Sequence, residues 1–268
     1  MNILICGDIV GRSGREAIEK FLPDIISEYK VDFVIVNGEN SASGFGITKK
    51  ICENLYDLGV DVITSGNHIW DQKEILEIID KENKIIRPAN LLEGQPGNGY
   101  GIYKIKNKKI AVINLIGNVF MKKSQDLFSF AEKIIKKIKL KKDADFIIID
   151  IHGEITSEKM ALGHFLDGKV TTVVGTHTHV PTADTKILKN GTAYQTDLGM
   201  CGDYNSVIGM DKENSLKKFL KDPTSIKHFP SKGEATLSGL LVTADEETGL
   251  ARKVESILIG GAFEERYW

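Results

Sequence analysis

The sequence is short of cysteine. Cys6, Cys52 and Cys201 are its only three thiols in 268 residues, too few and too scattered for a disulfide framework or a zinc ribbon. They read as buried free thiols. It also lacks charge of one sign: 35 basic against 37 acidic residues leave −2 at pH 7, so composition does not point to a general nucleic-acid binder. No apolar run approaches the roughly 18 residues of a membrane helix. The N-terminus, Met1-Asn2-Ile3-Leu4-Ile5-Cys6-Gly7-Asp8, has neither the basic flank nor the small-residue cleavage site of a signal peptide. No linker, low-complexity tract or repeat interrupts the chain. What is there is an ordinary globular mixture, 41% hydrophobic and 27% charged, which argues against disorder, in a chain long enough to bury a core without covalent staples. Length alone allows one large domain or two small ones. The expectation is a soluble, cytoplasmic protein folded as one domain over residues 1–268, with no membrane partner.

One pattern recurs: a short apolar run ending in glycine and polar residues. Ile3-Leu4-Ile5-Cys6 runs into Gly7-Asp8, Phe33-Val34-Ile35-Val36 into Asn37-Gly38-Glu39-Asn40, and Val60-Asp61-Val62-Ile63 into Thr64-Ser65-Gly66-Asn67-His68. Later, Phe146-Ile147-Ile148-Ile149 runs into Asp150-Ile151-His152-Gly153-Glu154, and Val173-Val174 into Gly175-Thr176-His177-Thr178-His179. Such runs read as strands buried on both faces. Between the early ones, Ile18, Phe21, Leu22, Ile25 and Ile26 follow helical spacing within Arg15 to Tyr29, and Ile47 to Leu58 and Gln72 to Asp80 behave similarly. Alternating strands and helices call for parallel strands with crossover helices. Gly101 to Lys106 and Lys109 to Leu115, flanking Asn107-Lys108, read as a hairpin. Residues 193–196, 237–244 and 253–259 add strands. The predicted class is α/β: two sheets packed together with helices outside.

Lys104 to Lys142 holds twelve lysines against Asp126 and Glu132. Their alternation with apolar residues, as in Lys104-Ile105-Lys106, reads as solvated hairpin and helix faces rather than a nucleic-acid patch.

Ligands of α/β sheets bind beyond the carboxyl ends of the strands, and here those ends are rich in metal-ligand types: Asp8, Glu39, Asn40, Asn67, His152, His177 and His179. One Asp or Asn after a strand is usually a turn or cap residue; five such ends in one chain are not explained that way. Three histidines, two carboxylates and two amides exceed one four-coordinate zinc and suit two ions of five or six ligands with a bridging carboxylate. Nitrogen and oxygen donors without thiolate favour iron, manganese, zinc or magnesium. Paired ions roughly 3.5–4 Å apart suit phosphate-ester hydrolysis. His177 and His179 would share a face in a strand, but in a turn they can serve two neighbouring ions.

This set resembles the calcineurin-like metallophosphoesterase superfamily and, within it, the YmdB family of cyclic-nucleotide phosphodiesterases. The resemblance runs from Met1 to near the C-terminus. Besides the strand ends it includes Arg87-Pro88-Ala89-Asn90, Thr156-Ser157-Glu158-Lys159 and Thr196-Asp197-Leu198-Gly199-Met200. It implies a two-sheet sandwich flanked by helices in four layers, α/β/β/α. It implies one ion held by Asp8, Glu39, Asn40 and His179, a second by Glu39, Asn67, His152 and His177, and iron or manganese as the metals. The superfamily usually carries Asp-x-His at the first strand; here Asp8-Ile9-Val10 stands there, and Asn40 fills the position left by the missing histidine. The implied substrates are cyclic nucleotides, 2′,3′-cyclic and also 3′,5′-cyclic, attacked by a metal-bridging hydroxide.

His68 is the candidate to protonate the leaving oxygen, an imidazole being the natural donor near neutrality. Where relatives carry an acid directly after this histidine, the chain has Ile69, which leaves Asp71 as the group to orient the ring. Two other functions compete: a phosphomonoesterase or nucleotidase on the same core, and a metal-stabilised nucleotide- or RNA-binding regulator with incidental hydrolysis. An intact proton donor favours the enzyme. A stable nucleic-acid partner is not expected, and a homo-oligomer is allowed but not required. His164, His228 and Cys201 lack partner motifs. The Ser41 to Gly46 loop reads as either a wall of the substrate site or a turn, with Phe45 as a base-stacking candidate.

Overall fold

The computed structural model describes residues 1–263. β1 (Asn2–Ile9), α1 (Gly11–Tyr29), β2 (Phe33–Asn37), α2 (Lys49–Asp57) and β3 (Val62–Thr64) alternate as the apolar runs predict. The hairpin β4 (Tyr100–Ile105) and β5 (Lys108–Ile116) follows, then α3 (Leu127–Lys137), β6 (Phe146–His152), α4 (Thr156–Leu166) and β7 (Thr172–Thr176). The chain closes with β8 (Lys186–Ile187), β9 (Ala193–Gln195), β10 (Met200–Cys201), α5 (Lys212–Phe219), β11 (Leu237–Ala244) and β12 (Ala251–Ile259).

The strands make two sheets, ordered β12-β11-β1-β2-β3, with β10 also on β1, and β4-β5-β6-β7-β9-β8. The centres are parallel, β1-β2-β3 in one sheet and β5-β6-β7-β9 in the other, and antiparallel strands close the edges. Side chains alternate across a strand, and this alternation builds the layers. Ile3, Ile5, Phe33 and Ile35 point inward against Ile110, Val112, Phe146 and Ile148 of the other sheet. Leu4, Cys6, Val34 and Val36 point outward beneath Ile18 and Leu22 of α1 and Cys52 and Leu55 of α2. On the second sheet Ala111, Ile113, Ile147 and Ile149 meet Leu127 and Ala131 of α3 and Leu162 and Leu166 of α4. Both faces of the central strands are therefore dry, and each buried aliphatic contributes about 1.5–3 kcal/mol. The arrangement is α/β/β/α, as expected.

Three local expectations change. Gln72 to Asp80 forms only a 3₁₀ turn over Lys73–Glu77. The hairpin turns at Lys106 and Asn107, whose φ values of 46° and 66° give the mirror-image two-residue turn that suits strand twist. Helix α1 begins four residues before Arg15. Among the described residues no helix is long and apolar enough to cross a membrane. The lysine-rich stretch is largely solvated surface: Lys106 pairs with Asp32 at 2.5 Å, Lys136 with Glu132 at 3.0 Å and Lys141 with Asp145 at 2.9 Å.

Candidate metal centre

The carboxyl ends of the parallel strands of both sheets open on the same side. Asp8 lies in β1 and His152 ends β6, while the loops after β2, β3 and β7 carry Glu39 and Asn40, Asn67 and His68, and His177 and His179. All seven expected ligands and His68 therefore come together.

They form two groups, the first of them around Glu39 and His152. In the first, His152 Nε2 lies 2.8 Å from Glu39 Oε1, 3.0 Å from Asn67 Oδ1 and 3.0 Å from His177 Nδ1. The ring's other nitrogen decides what this means. Thr176 Oγ1 donates to Asp150 Oδ1 at 2.8 Å and so accepts from His152 Nδ1–H at 3.0 Å. In the neutral ring Nε2 then turns its lone pair toward three other lone-pair atoms, a place that only a proton or another cation can fill. His177 Nε2 lies 3.2 Å from Glu154 Oε2, and its Nδ1 faces into the group. Converging acceptors repel one another unless a cation joins them.

In the second group His179 Nδ1–H donates to the Ile208 carbonyl at 2.8 Å, leaving Nε2 toward Asn40 Oδ1 at 3.3 Å and Asp8 Oδ1 at 3.9 Å. The amide of Asn40 is fixed because its Nδ2 donates to the Gly44 carbonyl at 3.0 Å. Asp8 Oδ1 is buried without a hydrogen-bond partner, while Oδ2 accepts from the His177 amide at 3.0 Å. A buried orphan carboxylate oxygen facing an imidazole lone pair and an amide oxygen fits a cation, so the donor chemistry of both groups suits hard or borderline divalent ions.

The electrostatics agree. Burial alone would raise the Glu39 carboxyl, but the His152 imidazole outweighs it and holds the group at about 2. Burial would depress His152, yet Glu39, Asp8 and Asp150 lift it to about 9. Burial pushes Asp8 up to about 7 against the pull of His179 and His152. Burial and His152 drive His177 down to about 3, which keeps its lone pair free. The site thus favours positive charge at His152 beside the carboxylates and keeps His177 neutral.

Backbone geometry enforces the crowding. A Cβ on Gly66 would lie 2.3 Å from both Glu39 Oε2 and His152 Nε2. His177 and His179 have φ values of 101° and 64°, a left-handed conformation that costs non-glycine residues about 1–3 kcal/mol each. The turn reading is the right one, since the two rings diverge into different groups. A buried pair that sequence reasoning left out holds this turn. Lys159 Nζ donates to Asp197 Oδ2 at 2.7 Å and to the Thr176 carbonyl at 3.2 Å, and Asp197 Oδ2 also accepts from the Thr178 amide at 3.1 Å. Both segments, Thr156 to Lys159 and Thr196 to Met200, stand out as motifs, but nothing in the residues alone shows that they meet under the histidines.

His68 sits at the rim. Its Nδ1 is 2.7 Å from Asp71 Oδ2, and its backbone N–H donates to Glu39 Oε2 at 3.0 Å. The Ser41 to Gly46 loop is a wall: the Arg15 guanidinium donates to the Ser41 carbonyl, and Gln72 Nε2 donates to the Phe45 carbonyl at 2.7 Å. The Phe45 ring meets His68 edge-on, 5.2 Å between centroids. Sequence reasoning also missed Glu154 and Lys122, whose amine donates to the Asn67 carbonyl. His164 is exposed on α4. His228, expected to be bland, lines the groove beside His68. Cys201 is buried and hydrogen-bonded to the Ser238 carbonyl.

Comparison with known proteins identifies the chain's relatives. A family model described as YmdB-like protein matches residues 4–257. A Bacillus subtilis (strain 168) protein named 2′,3′-cyclic-nucleotide 2′-phosphodiesterase is 46% identical over 97% of this chain and 97% of its own. A crystal structure described as a novel phosphatase of Mycoplasma pneumoniae superposes with TM-score 0.90 at 38% identity, covering 97% of this chain and 93% of that one. A hypothetical protein from Thermus thermophilus does so at TM-score 0.90 and 35% identity, covering 97% and 100%.

Proposed function

Because this chain belongs to the YmdB-like protein family, we propose that it works as a phosphodiesterase on cyclic nucleotides, with a pair of metal ions held at the seven-residue site. Its class is plain: it is a phosphoester hydrolase, as the 2′,3′-cyclic-nucleotide 2′-phosphodiesterase relative supports, and its substrate is a small phosphate ester. The finer assignment is a single metallophosphoesterase domain acting on 2′,3′-cyclic and also 3′,5′-cyclic nucleotides. Asp8, Glu39, Asn40 and His179 hold one ion, Glu39, Asn67, His152 and His177 the other, and iron or manganese suits this thiolate-free set. The observation that carries the reading is the convergence of Glu39, Asn67 and His177 on His152 beside a second cluster of His179, Asn40 and the orphan Asp8 oxygen, with His68 at the rim.

Bound there, two ions supply an acidified water as nucleophile and neutralise charge on the phosphoryl oxygens. The protein's own residues do the rest. Glu39, as the carboxylate shared by the two ions, would set them side by side. The Nδ1 bonds of His152 and His179 fix the tautomers that ligation requires. His68, on the substrate side of Asn67, gives a proton to the departing ribose oxygen, and Asp71 holds the ring for that transfer.

The test pairs metal analysis with a substrate panel. Two equivalents of iron or manganese per chain, with cyclic diesters preferred over nitrophenyl monoester, is the expected result; a preference for the monoester, or tight nucleotide binding without product, overturns it. His68→Ala should keep both ions and lower kcat about 10²–10⁴-fold for ribose leaving groups, and far less for nitrophenolate. Equal losses for the two would remove the proton-donor role.

A further inference from the structure

A groove of about 940 Å³ opens from His68. Arg12 and Arg15 of α1, Phe45 of the Ser41 to Gly46 loop, and Lys227 and Lys232 line it. In a chain with net charge −2, this groove collects four fixed cations against Asp71, which is already bonded to the His68 ring. Arg12 shares a surface pair with Glu16 at 2.7 Å, a contact of small energy. Lys227 and Lys232 are exposed and have no ion-pair partner among the described residues. The amine of Lys227 lies 5.9 Å over the Phe45 ring.

The position of this charge decides what it is for. Resting on the phosphodiesterase reading, His68 marks where the leaving oxygen departs, so the groove lies on the nucleoside side of the scissile bond. A cyclic mononucleotide has its single negative charge on the phosphate at the metal centre, and its nucleoside is neutral. Such a substrate leaves four cations facing nothing anionic. A nucleotide chain continuing from the 5′ side of the same ribose carries one phosphate per residue, and Phe45 and Phe229 offer π-faces on which successive bases can stack.

We infer that the groove binds single-stranded RNA, and that the substrate class includes short oligoribonucleotides ending in a 2′,3′-cyclic phosphate. Water adds across the P–O2′ bond, the 2′ oxygen leaves with the proton from His68, and the chain keeps a 3′-monoester end. Such ends are made by RNA cleavage in which a 2′-hydroxyl attacks its own phosphodiester, so this is the class of reaction that supplies the substrate.

The experiment compares a cyclic mononucleotide with a tetranucleotide bearing the same cyclic end. Alongside it, fluorescence anisotropy measures binding of the matching tetranucleotide with a 3′-phosphate, for the parent protein and for Lys227→Ala/Lys232→Ala. The tetranucleotide should have a kcat/KM about tenfold above the mononucleotide at low salt, and the double variant should lose most of that ratio. The slope of log affinity on log salt should fall by about 1.4, near 0.7 per lost phosphate contact on a single strand. Equal kcat/KM values for the two substrates, or unchanged binding and slope in the variant, overturn the inference. If neither substrate is hydrolysed, the phosphodiesterase reading fails; anisotropy then still judges the groove, which stands if the variant binds more weakly and falls if it does not.

Discussion

The His152 half and the His179 half of the metal centre are built from the same residue types at different tightness. Around His152 three acceptors stand within 2.8–3.0 Å of one nitrogen. Around His179 the corresponding distances are 3.3 and 3.9 Å, and Asp8 Oδ1 has no hydrogen-bond partner. Gly66 lets His152, the last residue of a central strand, approach Glu39 closely, so the first half is the more closely packed. The first should hold its ion more firmly.

Removing Glu39, the proposed bridge between the halves, erases the comparison and should have the largest effect. Glu39→Gln should empty both positions and lower turnover by about 10³-fold, read by elemental analysis beside cyclic-nucleotide hydrolysis. Lys159→Met strikes the support under both histidines. Leaving Asp197 buried and unpaired should cost about 3–5 kcal/mol, visible as a lower denaturant midpoint, with metal loss from both halves together. His179→Ala separates them: one equivalent of metal should remain and activity fall about 10²-fold. Loss of both equivalents would show that the halves bind as a unit. Asp71→Asn touches neither half. Its pair with His68 is partly exposed, so kcat should fall only about two- to fivefold while metal content holds.

The layers and most of the ligands could be read from the residues because each depends on local pattern. Runs such as Phe146 to Ile149 can only be strands dry on both faces, and polar residues after such runs point beyond the sheet edge. What could not be read depends on meetings between distant segments. Lys159 looks like a solvated helix residue, and only the fold shows it wholly buried against Asp197, 38 positions later. Arg12 and Lys232 lie more than two hundred positions apart, and each alone is an unremarkable surface cation. Gln72 to Asp80 misled for the opposite reason: helical spacing was present, but the segment holds its place through the 3₁₀ turn and the Phe45 loop rather than an extended helix.

The left-handed turn over His177 and His179 has one more consequence. Both rings hang from three consecutive residues pinned by one ammonium and one carboxylate that never touch a ligand. On the two-ion reading, the spacing between the ions would be inherited from the main chain rather than from side-chain rotamers. A swap to a cation of different radius must flex this hinge, so selectivity among metals can be retuned from beneath the floor of the site, with every liganding residue kept.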